Sequence, residues 1–236
     1  MQENLHLNSR VGFIKKVFGI VGAQLTVTAL WTTAVATNKD LNKFVFDSMI
    51  IQILTLIAGI VSTCCLAFSK NMRNTVPTNY LLLMASTFAN AYSAALTISF
   101  YPGEIIAQAL VITAAIVMGI AIYAWNSTSN FSSMKALIYC SVCLIVANLV
   151  LRFFIPLQMF HWAVYLLSGA ICGFSLLYQI QAVFGKKEFK YESDDYILAS
   201  LNVYYDIVDL FLTIVRILNS LKDDKDEKKK KKQSDI

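Results

Sequence analysis

Residues 196–218 read YILASLNVYYDIVDLFLTIVRIL, a stretch of membrane-crossing length that carries Asp206, Asp209 and Arg216 among its apolar side chains. A carboxylate at bilayer depth costs on the order of 2.5–3.5 kcal/mol even on the gentler insertion scales. Such residues are therefore functional candidates by default, and the question is what the rest of the chain supplies as their partner.

Working outward, the 236 residues are 57% hydrophobic and only 15% charged, where a soluble domain carries about a quarter. The apolar residues gather in blocks. A hydrocarbon core of about 30 Å needs about 20 helical residues, and seven blocks meet that length: 17–36, 48–68, 78–100, 105–124, 136–155, 160–184 and 196–218. The first four hold no Lys, Arg, Asp or Glu, the fifth only Arg152, and the sixth none. Pro77, Pro102 and Pro156 all fall in connectors, where a missing backbone donor does no harm. The expected fold is an all-α membrane protein: a seven-helix transmembrane bundle with a partly polar seventh helix. A polar arm (1–16) precedes the bundle (17–218), and a polybasic tail (219–236) follows it. The arm lacks the pattern of a signal peptide and, with Glu3 and one arginine, that of a transit peptide.

With seven crossings, Arg10, Lys15, Lys16, Lys70, Arg73, Lys135, Lys186, Lys187 and Lys190 share the N-terminal side, against Lys39, Lys43 and Arg152 opposite. This asymmetry places the N-terminus in the cytosol, or in the matrix of a mitochondrion. The tail LKDDKDEKKKKKQSDI then conflicts with that bias. Either it is translocated, or the seventh span is re-entrant; seven crossings are the reading adopted. Lys228, Lys229, Lys230, Lys231 and Lys232 read as a solubilising charge run, or as a patch for anionic lipid or for other membrane subunits.

Several motifs are set aside. The five cysteines lie inside spans, and CSVC (140–143) has neither a second pair nor a nearby histidine, so packing explains it better than a metal or a disulfide. His161 beside Trp162 reads as an aromatic belt. The sequons at Asn126 and Asn130 fall in a loop assigned to the cytosol, so no glycan is expected. No hydrolase, zincin, nucleotide or nucleic-acid pattern is present, and no enzyme or cofactor is expected. The small residues of ASTFANAYSAAL (85–96) and ITAAIVMGIAIYA (112–124) suggest that spans three and four form the tight centre of the bundle. Asn79 and Asn90 read as interhelical hydrogen bonders.

GKKEFKYESDDYILASLNVYYDIVDLFLTIVRIL (185–218), VPTNYLLLMASTFANAYSAALTISFY (76–101), ALVITAAIVMGIAIYAWNSTSNFS (109–132) and FIKKVFGIVGAQLTVTAL (13–30) together resemble the Bax-inhibitor superfamily of transmembrane proteins, in particular its lifeguard branch. The resemblance covers about residues 11–221. It implies six helices around a central seventh, a calcium leak from an intracellular store under pH control, and suppression of cell death. It also implies a pair of aspartates on the last two helices that share a proton and latch the pore. Two close carboxylates cannot both ionise cheaply. Here the last-helix aspartate falls on Asp206. Its partner position, within Tyr178–Gln181, holds Gln179, which offers Asp206 a hydrogen bond but cannot titrate. A second-helix arginine has no counterpart, and Asn90 stands where a third-helix glutamate is common. Asp209 replaces a usual asparagine, on the same helix face as Asp206. Arg216 is an interface anchor on that side.

Two functions fit. One is a calcium-permeable leak of the endoplasmic reticulum or Golgi, with Asp206, Asp209, Gln179 and Asn90 as pore or latch residues and the bilayer and calcium ion as partners. The other is a non-conducting assembly subunit, for example in the mitochondrial inner membrane.

Overall fold

The computed structural model describes residues 2–126, 158–185, 191–192 and 194–234, with side chains described over 10–125, 164–165, 167–185, 191–192 and 194–222. The described elements are α1 (Gln2–Thr37), α2 (Lys39–Asp47), α3 (Met49–Phe68), α4 (Lys70–Asn74), α5 (Thr78–Ile98), α6 (Gly103–Asn126), α7 (Gln158–Phe184) and α8 (Tyr196–Ser234). Among the described residues all regular structure is helical. Six of these helices are long and apolar enough to cross a membrane. The fifth sequence block, 136–155, with Cys140, Cys143 and Arg152, lies outside the described residues, as do the 127–135 loop and the side chain of His161.

The last helix is the hub. It packs against α1, α3, α5, α6 and α7, and Tyr204, Ile197, Leu201 and Val203 are fully enclosed. Around it the outer faces stay apolar: Ile50, Leu54, Ile57 and Val61 of α3 are all more than half exposed, as expected of side chains that meet lipid. α8 is unbroken over 39 residues, about 58 Å at 1.5 Å per residue. Its head is tied to Arg73 of α4 by Asp195, whereas its Lys222 lies 3.9 Å from Glu104 in the first turn of α6. Since α5 runs from α4 to the head of α6, those ties lie at opposite ends of the bundle. α8 therefore runs the full depth of the bundle, and the tail leaves on the face opposite the start of α1. Lys228–Lys232 continue the helix, with side chains outside the described residues.

The small-residue expectation is half corrected. In α5, Ala89, Ala91, Ala94 and Ala95 are buried against neighbours. In α6, Ala114, Ala115 and Gly119 are exposed, and α6 packs on α7 and α8 instead of α5. The partner of α5 is α3, through Gly59, where an added Cβ would lie 2.8 Å from the Cβ of Ala89. Gly59→Val forces the two helices apart and is expected to destabilise the bundle by about 1–3 kcal/mol, read as a lower unfolding midpoint in detergent.

Between α1 and α3 stands α2. Asn38 starts it, its Oδ1 accepting from the backbone N–H groups of Asp40 (3.0 Å) and Leu41 (3.2 Å), an ordinary N-cap. Val45 faces the bundle, and Tyr92 donates to its carbonyl at 2.8 Å.

Candidate functional site

Three consecutive residues of α8 engage three different neighbours, because each step turns the side chain by about 100°. Tyr204 pairs with Thr28 of α1, hydroxyl to hydroxyl, at 2.7 Å. Tyr205 pairs with Thr63 of α3 at 2.8 Å. Asp206 turns to α7, where the Ser175 hydroxyl lies 3.0 Å from both carboxylate oxygens. A hydroxyl has one proton, so it is shared between the two oxygens in a three-centred bond.

Ser175 thus occupies the place expected of Gln179. The antiparallel register explains the correction. Ser175 stands opposite Asp206, Gln179 opposite Asn202, Cys172 beside Asp209, and Gly169 against Thr213, whose Cγ2 would lie 3.5 Å from an added Cβ. Gln179 is therefore one helical turn from the carboxylate, and its Oε1 accepts instead from the Tyr191 hydroxyl at 2.6 Å. Asn202 donates to that same hydroxyl at 2.9 Å. Tyr191 lies outside the spans. Burial pushes its phenol up to about 12, against a smaller opposing effect of Asn202, so it stays a hydrogen-bond donor at any physiological pH.

The other sequence candidates separate. Asp209 is exposed on α8, and no hydrogen bond joins it to Asp206 among the described residues. Arg216 is partly buried and near enough to act on the charge of Asp209, though no ion pair closes between them. Asn90 lies across α8 from Asp206, close to Tyr204, and lines an open groove of about 330 Å³ with Gly59, Thr63, Ser93 and Tyr205. Asn79 is buried, its Oδ1 accepting from the Tyr80 N–H at 2.8 Å.

Two arginines tie the sequence-distant parts of the N-terminal face. Arg73 reaches Asp195 at 2.8 Å, the side chains only 6% and 15% exposed. Asp195 precedes the first turn of α8, where negative charge is favoured by the helix dipole. Arg10 donates to the carbonyls of Tyr191 (2.8 Å) and Ala182 (2.6 Å). Among the described residues no cluster of three His, Cys, Asp or Glu side chains forms a metal cage, and a tight calcium site takes six to eight oxygens.

Fold and site together define a multi-pass membrane protein whose central helix carries a carboxylate facing one neighbouring helix. The chain belongs to the Bax-inhibitor family: the family model described as "Inhibitor of apoptosis-promoting Bax1" matches residues 10–223. It is 31% identical to a BI1-like protein of Arabidopsis thaliana over 214 residues, covering 89% of this chain and 80% of the relative. It is 26% identical to protein lifeguard 3 of Homo sapiens, covering 87% and 68%. It is also 26% identical to a Golgi anti-apoptotic protein of Vaccinia virus (strain Lister), covering 89% and 85%.

Proposed function

We propose that this protein is a calcium-permeable leak of an intracellular membrane, with Asp206 on the ion path and Ser175 in place of a titrating partner. The observation that carries this reading is the retained carboxylate on the central helix, held by a single neutral hydroxyl. An idle carboxylate at this depth is costly, and one or two carboxylates suit an ion that must bind weakly and leave. The viral relative's name supports a Golgi location, and the family's description supports a role in restraining cell death.

The seryl latch differs from a carboxylate pair in one physical respect. A hydroxyl donates to a carboxylate and accepts from a carboxylic acid, so Asp206 keeps its partner in either protonation state. The seam therefore lacks a proton-sharing carboxylate pair whose repulsion would open it as pH rises.

The test is calcium flux into liposomes that hold the purified chain. The expected result is flux above empty liposomes, with Asp206→Asn lowering it about fivefold, because the amide keeps the volume but loses the charge that attracts a cation. No flux above empty liposomes sinks the reading and leaves the assembly-subunit alternative.

A further inference from the structure

Tyr191 follows the end of α7 in a polar connector, yet it is only 4% exposed. Its hydroxyl donates to Gln179 and accepts from Asn202, so it bridges α7 and α8. In the register these two residues lie one turn from Ser175 and Asp206, toward the face where α1 begins. Its backbone carbonyl is held by Arg10, and the same guanidinium caps the carbonyl of Ala182 in the last turn of α7, one of the acceptors a helix end leaves unpaired. Gly185 makes the exit possible: its φ is +72°, and a Cβ there would lie 2.8 Å from Arg10 Nε.

We propose that Tyr191 is a positioning residue that seals the Ser175–Asp206 contact from water on that face and holds α7 and α8 in register through Gln179 and Asn202. The ring fills the mouth of the seam, and the hydroxyl joins its two walls. Arg10 ties this seal to α1. The seal itself stands independently of conduction; only its effect on calcium flux rests on the function proposed above.

The experiment uses the full chain in liposomes with Ser175→Cys, probed by a membrane-impermeant charged thiol reagent, with the modified peptide identified by mass spectrometry so that native cysteines stay in place. Adding Tyr191→Ala is expected to raise the modification rate about tenfold, and Tyr191→Phe about threefold, since Phe keeps the ring but loses both hydrogen bonds. A residue that only fills space would leave the Phe variant at the parent rate, and that result overturns the positioning role. Unchanged rates in both variants overturn the seal. Where Tyr191→Ala does not fold, Tyr191→Phe decides alone. Calcium flux is measured on the same Tyr191 variants with Ser175 intact. Faster modification with no flux above empty liposomes keeps the seal and sinks the conduit, whereas a rise in flux without faster modification sinks the seal.

Discussion

Arg73→Ala is expected to destabilise the bundle by about 3 kcal/mol, because removing one partner of a buried ion pair strands the other charge. Asp195 keeps 15% exposure and Arg73 only 6%, so the stranded carboxylate is poorly hydrated. The loss reaches further than one bond. Arg73 Nη1 also lies 3.4 Å from the carbonyl of Leu66 near the end of α3, so the guanidinium ties α3 and α4 to the head of α8. Thermal unfolding in detergent should show a lower midpoint for Arg73→Ala and for Asp195→Ala. The double variant should recover part of the loss, since no charge is then stranded. If both single variants match the parent, the pair contributes nothing to the fold.

Ser175→Asp is expected to steepen the pH response of the leak, because it gives Asp206 a carboxylate partner. The new carboxylate would face Asp206 directly, in the position where the hydroxyl now lies 3.0 Å from both oxygens. At low pH the pair shares a proton and holds α7 to α8. As pH rises that proton leaves, the two anions repel, and the seam opens. Calcium flux should therefore rise about tenfold or more between pH 6 and pH 8 in this variant, against at most about fivefold in the parent, where only the single charge of Asp206 can change. Gln179→Asp is the informative comparison. Its carboxylate would meet Tyr191 and Asn202 rather than Asp206, so its pH response should be the weaker of the two. A profile for Ser175→Asp no steeper than the parent's would show that Ser175 is not the partner that matters.

How much of this was legible in advance depends on the range of the interaction. Asp206 stood out because a charge in an apolar run is anomalous in one dimension. Ser175 did not, since serine is common in membrane helices and nothing local marks one above another. Gln179 drew attention through family pattern, but its reach depends on where α8 stands along α7, and the observed register sets it one turn away. Arg73 was visible only as a topological charge. Its partner lies more than a hundred residues downstream, and no periodicity links the two. Tyr191 gave no signal, because an aromatic residue in a polar connector reads as exposed until tertiary contacts enclose it. The short α2 was legible in principle, since Asn38 is a good N-cap residue and KDLNKFVFD alternates with a helical period; a search for membrane-length blocks passes over nine residues.

The sequence by itself determined the class, the six spans that the structure describes and the family, because bilayer thickness and the cost of unpaired backbone groups act on each segment separately. It determined that Asp206 is a functional candidate for the same reason. Tertiary structure decided which hydroxyl faces that carboxylate, that α8 crosses the bundle, and that α5 rather than α6 carries the tight small-residue contact. Those outcomes depend on helix rotation and register, which are set by neighbours packing together and are not written in any one segment.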